Sequence, residues 1–365
     1  MDSTPLVDLG AQYESIRAEI DAAIARVLRR QVFLAGPETE AFEVEFAAYA
    51  EAAEAVAVAS GTAALELALW ALEIGAGDEV IVPAWTFWAT PQAIIRQGAT
   101  PVFVDVTEDD WTIDPEAAGA AVTAQTKAIV AVHIFGHPAD VRSVGRAAPD
   151  MAIVEDAAQA HGARYWGAMV GSDSVAATYS FYPSKNLGAY GDAGAVTTTD
   201  SALAGRLRAL RDHGSVAKYT HMFAGTNARC DELQAAILRA KLPQLNDWNS
   251  RRQELAAMYE ERLRGIVPVQ ATQPWAEHAR HLFVVLVENR DAIRDRLRRK
   301  GIGVGIHYPA ACHQQPGWTG RRPRLPVSEA LAGAALTLPL YPELGEAGVE
   351  HVCDELLAAL GSRAA

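Results

Sequence analysis

Apolar residues recur at helical spacing from Gln12 to Arg30, with Ile16, Ile20, Ile24 and Val27 on one face, so one amphipathic helix is expected there. Gly36-Pro37 breaks the pattern, and Glu38 to Ala50 resumes it. Short apolar runs then alternate with helical stretches. Val56–Val58, Glu79–Val82, Pro101–Val106, Ala128–His133, Ala152–Glu155, Ala177–Phe181 and Ala193–Thr199 read as strands. Thr62–Ile74 and Pro91–Gln97 read as helices between the first of them. Strands this short and apolar, separated by helices, indicate an α/β fold with a mostly parallel sheet covered on both faces.

The pattern changes toward the C-terminus. Asp231–Leu242 and Arg251–Arg264 form one long helical stretch with little interruption. Past Gly265, strands are expected over His281–Val287 and Gly303–His307, and helices over Asp291–Lys300 and Val349–Leu360. The expected division is a large domain over 1–245, including the N-terminal helical segment, and a smaller α+β domain over 246–365.

Composition narrows the function. The chain has 365 residues, half of them hydrophobic, and a net charge of -13. Such a surface repels phosphate backbones and anionic lipid, which argues against nucleic-acid and membrane partners. No basic and then apolar leader opens the sequence, and no apolar run is long enough to cross a bilayer. Cys230, Cys312 and Cys353 are scattered and suggest neither a disulfide framework nor a zinc site. A cytoplasmic enzyme is expected, without a metal. Lysine is scarce: only Lys127, Lys185, Lys218, Lys241 and Lys300 occur among 32 basic residues, which makes each worth a separate look.

Three segments carry candidate chemistry. Ser60-Gly61-Thr62 follows a strand and opens a helix, a place where N–H groups and the helix dipole can hold a phosphate. Read alone, it is more often an ordinary N-cap than a phosphate site. Glu155-Asp156 closes an apolar strand at the edge where open α/β sheets bind ligands. Asp156 is there either a helix cap or the partner of a buried cation, such as a protonated heterocyclic nitrogen. Lys185 lies just after a strand, among aromatic residues and glycines, where desolvation would leave its amine neutral and nucleophilic. A phosphate cradle, an acid at a strand end and a Schiff-base lysine are together what pyridoxal 5'-phosphate requires. Lys185 would hold the cofactor and move protons, and Asp156 would keep its ring nitrogen protonated.

Ordered motifs extend this reading along the chain. They are Leu34-Ala35-Gly36-Pro37-Glu38, Ser60-Gly61-Thr62, Gly77-Asp78-Glu79-Val80-Ile81-Val82-Pro83, Thr86-Phe87, Glu155-Asp156-Ala157-Ala158-Gln159, Ser180-Phe181 with Lys185, Asn227-Ala228-Arg229 before Glu232-Leu233-Gln234-Ala235-Ala236, and His307-Tyr308-Pro309. With these, the chain resembles the DegT/DnrJ/StrS family of nucleotide-sugar aminotransferases over nearly its whole length. The resemblance implies the aspartate-aminotransferase fold, fold type I, and a homodimer whose sites borrow residues from the other subunit. It implies that Gly61, Thr62 and Ser180 hold the phosphate, joined by Asn227 from the partner chain. Phe87 would stack on the pyridine ring and Gln159 would lie beside the ring hydroxyl. His307 and Tyr308 would face the substrate or serve the fold, and Arg229 could meet the substrate diphosphate near the dimer interface.

The implied reaction is transamination of a keto group at C3 or C4 of a nucleotide-linked, dTDP-type deoxysugar, with glutamate or glutamine as amino donor. The segment Lys185 to Asp192 leans toward C3. Trp85 and Trp88 depart from the usual smaller residues and either narrow the sugar pocket or pack the core. Ala193 replaces a frequent glycine, and Cys230 a commonly aliphatic residue. The alternatives are an aminotransferase for a free keto-cyclitol (inosose), a sugar dehydratase, a serine hydrolase using Ser180, His161 and Asp156, and a non-enzymatic regulatory protein. The presence of Lys185, the lack of a GxSxG elbow and the negative charge weigh against the last three in turn.

Overall fold

The computed structural model describes residues 3–361. Its centre is a seven-stranded sheet: β1 (Glu54–Val58), β2 (Glu79–Pro83), β3 (Thr100–Val104), β4 (Thr126–Val132), β5 (Ala152–Asp156), β6 (Ala176–Ser180) and β7 (Gly194–Thr198). The spatial order is β1-β7-β6-β5-β4-β2-β3. Pairs β6–β5, β5–β4, β4–β2 and β2–β3 are parallel, whereas β7 runs antiparallel to both neighbours. Strands β1, β2, β4, β5 and β6 therefore share one carboxyl edge, and the segments leaving them converge there. Val56, Val58, Val80, Val82, Val130 and Val154 are fully buried on one face; Ile81, Ile129 and Ala131 are fully buried on the other. Helices cover both faces, which explains why these strands read as unbroken apolar runs.

Residues 255–359 have a core of their own. It is built from the Leu245–Leu263, Arg290–Arg299 and Gly345–Gly361 helices and the antiparallel pair β8 (Phe283–Leu286) and β9 (Ala335–Leu338). Trp318, Leu325 and Leu331, from the segment between β8 and β9, pack instead into the large core with Phe103 and Val106.

Two expectations are corrected. The N-terminal helix is two helices, Leu9–Ser15 and Arg17–Arg30, because Ile16 leaves helical geometry at φ -134° and the Asp8 side chain caps the first of them separately. The periodic apolar face survives the break, so periodicity alone does not reveal it. Gly303–His307 is no strand: it makes only a single bridge from Gly305 to Thr337, and the Gly303 amide donates to Thr4 of the N-terminal segment. The long helical stretch expected from Asp231 to Arg264 is present as Glu232–Lys241 and Leu245–Leu263, with a single turn of 3-10 helix between them at Leu242–Gln244, where Pro243 lies. The sequence pattern also missed helices Pro115–Ala120, Val141–Ala147, Ser201–Arg211 and Pro326–Ala334. Among the described residues no helix is long and apolar enough to cross a membrane.

Candidate active site

The carboxyl edge of the sheet opens into a cavity of about 740 Å³. Gly61, Thr62, Phe87, Asp156, Gln159, Ser180, Lys185, His307 and Tyr308 all line it. Nine positions spread from 61 to 308 thus meet in one place.

Gly61 begins the helix Gly61–Ala71, and the Ser60 hydroxyl accepts the Ala63 amide at 3.1 Å. That leaves the first two amides, of Gly61 and Thr62, for a ligand, since the opening N–H groups of a helix have no intrahelical acceptor. A Cβ on Gly61 would lie 2.5 Å from the Ser180 Cβ, so only glycine lets the helix start against the end of β6. This bare, dipole-backed cradle fits a phosphate group.

Asp156 ends β5 and is buried. Its Oδ2 accepts the Thr90 hydroxyl at 2.8 Å, and its Oδ1 accepts the Ala158 amide at 3.2 Å. Burial raises its pKa, while these donors and the Lys185 charge oppose the rise. Lys185 sits in the loop between β6 and β7. Burial lowers its pKa to about 8, against the pull of Asp156, so far more of its amine is neutral near physiological pH than in an ordinary lysine, while most of it still carries the proton.

The loop is anchored at several points. The Asn186 amide donates to Asn249 Oδ1 and to the Ala279 carbonyl, both at 2.8 Å, and its Oδ1 faces His281 Nδ1 at 3.1 Å. The Tyr190 amide donates to Gln234 Oε1 at 2.9 Å. Gln159 is held at both ends: its Oε1 accepts the Phe135 amide at 2.6 Å, and its Nε2 donates to the Tyr308 hydroxyl at 2.9 Å. The Tyr308 ring tilts against Phe87 at 5.6 Å, and burial raises its phenol pKa. Phe87 is 54% exposed, so one face of its ring is open. His307 Nδ1 lies 2.8 Å from Thr337 Oγ1, and burial lowers its pKa to about 4.

Two expected residues lie elsewhere on this chain. Asn227 borders a smaller cavity of about 370 Å³ with Ala63 and Trp70. Arg229 is paired with Asp212 at 2.7 Å and does not line the large cavity. Trp85 packs the core: it is buried against Trp111 and Phe135, with its indole donating to the Tyr308 carbonyl. Trp88 also packs against that core. Neither narrows the cavity.

The sequence reading missed Thr90, Asn186, His281, Leu6 and Val7. Thr90 lies just before the helix expected from Pro91 and carried no signal of its own; its hydroxyl meets that of Thr86 at 3.1 Å only in the fold. Leu6 and Val7 carried no local signal, because a tethered N-terminal segment supplies them. Thr4 donates to Gly301 and accepts from Gly303, which holds that segment beside the cavity.

The sequence profile of the DegT/DnrJ/EryC1/StrS aminotransferase family matches residues 14–357. The chain belongs to this family. It is 51% identical to the erythromycin biosynthesis sensory transduction protein EryC1 of Saccharopolyspora erythraea, over 97% of this chain and 99% of that one. It is 49% identical to the dTDP-3-amino-3,4,6-trideoxy-alpha-D-glucose transaminase of Streptomyces venezuelae, over 96% of this chain and 94% of that one. Its fold matches the crystal structure of S. venezuelae DesV in complex with ketimine intermediate, with a TM-score of 0.96 and 47% identity over 100% of both chains. The chain is thus an aminotransferase, and the cradle, Asp156 and Lys185 fit pyridoxal phosphate.

Proposed function

We propose that this enzyme transaminates C3 of a dTDP-linked deoxysugar in amino-sugar biosynthesis, with pyridoxal phosphate as cofactor and glutamate or glutamine as amino donor. The carrying observation is that Lys185, Asp156 and the Gly61–Ser180 cradle line one cavity. The sugar and its carbon are supported by relatives that act on dTDP-3-amino sugars, at 49%, 42% and 40% identity.

Gly61, Thr62 and Ser180 hold the phosphate, Asp156 pairs with the ring nitrogen, Phe87 covers one ring face and Gln159 stands beside the ring hydroxyl. The cofactor supplies an electron sink for the substrate carbon. Lys185 Nζ would move the protons, as a general base toward the α-carbon of the amino donor and as a general acid toward the sugar carbon that gains the amine. Asp156, buried beside the ring nitrogen, would keep it protonated. His307 and Tyr308 border the space left for the sugar.

The working form is a cytoplasmic homodimer in which Asn227 of each chain completes the phosphate site of the other, with Arg229 near the sugar diphosphate. The placement of Asn227 outside its own chain's large cavity supports this. The chain divides near residue 245 into a cofactor-binding domain and a smaller C-terminal domain, and the separate core over 255–359 supports that division.

A panel of dTDP-3-amino and dTDP-4-amino sugars, run in reverse while the visible cofactor band is followed, tests the reading. Only the 3-amino sugars should change the band. A response to a free amino-cyclitol alone would replace the nucleotide-sugar assignment with a cyclitol one.

A further inference from the structure

A second lysine lies beneath the loop that carries Lys185. Lys241, the last residue of the Glu232–Lys241 helix, is fully buried. Its Nζ donates to the Gly188 carbonyl at 2.8 Å and to Gln12 Oε1 at 2.9 Å, and stands 4.1 Å from the centre of the Tyr190 ring. All three partners are neutral. No carboxylate among the described residues forms an ion pair with it; Glu343 is the acid whose charge acts on it from further off. Burial accordingly lowers its pKa to about 7.

A buried cation without a counter-ion is a poor way to stabilise a fold, since an apolar chain of the same length would avoid the desolvation cost. What distinguishes Lys241 is the group it grips. Gly188 lies three positions after Lys185, and a Cβ there would come 2.3 Å from the Pro183 carbonyl oxygen, so the loop is closely folded on itself. Lys185 donates its own amide to Tyr182, and Ala189 donates to Phe181, both at 2.8 Å. Fixing the Gly188 carbonyl therefore fixes the short closed turn from which the Lys185 side chain departs. Direct charge repulsion is not how the two lysines communicate: the shift at Lys185 comes from burial and Asp156.

We propose that Lys241 is a positioning residue for Lys185: through the Gly188 carbonyl it sets the direction from which the Lys185 amine meets the cofactor. This rests on Lys185 being the cofactor-bearing lysine.

The test uses the holoenzyme without substrate. Lys241→Met is compared with wild type in the rate at which borohydride traps the cofactor on Lys185, in the pH midpoint of the visible band and in thermal midpoint. The expected result is a folded protein with a displaced pH midpoint and trapping slowed roughly tenfold to a hundredfold, the range set by misplacement of a reacting group. Trapping and pH midpoint matching wild type, with only the thermal midpoint changed, would overturn the proposal. Should Lys241→Met fail to fold, Gln12→Leu removes the other anchor of Lys241 and leaves the loop intact. A change in trapping in the same direction then upholds the role, and no change overturns it. A wild type that traps nothing on Lys185 overturns the cofactor assignment itself, and this role with it.

Discussion

The Thr90 hydroxyl donates to Asp156 Oδ2 at 2.8 Å, reaching from the Ala89–Arg96 helix to the end of β5. That bond favours the charged carboxylate in a place where burial opposes it. Thr90→Val should raise the Asp156 pKa further. The charge is then lost at higher pH as the solution is acidified, so the acid limb of kcat/KM moves to higher pH. One hydrogen bond to a charged group is worth about 1.5 kcal/mol, or about tenfold in rate. Thr90→Ser should restore the profile. An unshifted limb in Thr90→Val would remove Asp156 from the reaction.

Lys185→Ala should give no borohydride-stable adduct and no turnover. Peptide mapping after reduction and a rate assay check both, and full activity in that variant would be incompatible with the proposed chemistry.

Glycine substitutions separate the cradle from the background. Gly61→Ala drives a Cβ to 2.5 Å from Ser180 and should weaken cofactor binding by about 1–3 kcal/mol, the usual cost of overpacking. Gly205, inside the Ser201–Arg211 helix, has open space around it. Gly205→Ala should leave binding unchanged and stabilise the fold by about 0.5–1 kcal/mol. Cofactor titration and denaturant unfolding of both variants read the contrast.

Acid should destabilise the protein in a specific window. His161 is fully buried between Tyr179 and Phe181, and burial lowers its pKa to about 3. Its unfolded value lies near 6.5. Below that pH the unfolded chain binds the proton and the folded chain does not, so stability falls as pH drops from about 6.5 toward 3. Each such histidine adds up to about 1.4 kcal/mol per pH unit to the slope. His161→Phe should flatten the slope measured by denaturant unfolding, and an unchanged slope would mean that His161 is not held neutral.

Mixing Lys185→Ala subunits with Asn227→Ala subunits should regenerate one intact site per hybrid dimer, up to about half the wild-type activity per hybrid if sites act independently. No recovery after verified subunit exchange would count against a shared site.

Much of this arrangement is legible in the sequence because each element states its own chemistry. The strands ending at Asp156 and Ser180 are apolar on both faces, so the pattern finds them and places the polar residues that follow at the sheet edge. Lys185 stands out because lysine is rare here and its neighbours are glycines and aromatics. What stays hidden depends on distant contacts. Ile16 looks helical until the Asp8 cap starts a separate turn before it. Gly303–His307 looks like a strand but lies against the N-terminal segment, where the Thr4 carbonyl accepts the Gly303 amide. Trp85 reads as a pocket residue by position, yet buries itself against Trp111, 26 places further on, and Phe135. Lys241 was conspicuous by type, but nothing local announces that it reaches Gly188.

The antiparallel strand β7 has a further effect. It returns from the Lys185 loop to lie between β1 and β6, and Gly194 at its start has room for no side chain, since a Cβ would sit 2.4 Å from the Ser60 carbonyl. The turn proposed to hold the phosphate and the loop that carries Lys185 are thus bolted to adjoining backbone. The sheet works as a fixed gauge between the proposed cradle and Lys185. Such a gauge cannot stretch, so a cofactor analogue with one extra methylene between ring and phosphate would reach one end of the site only by leaving the other.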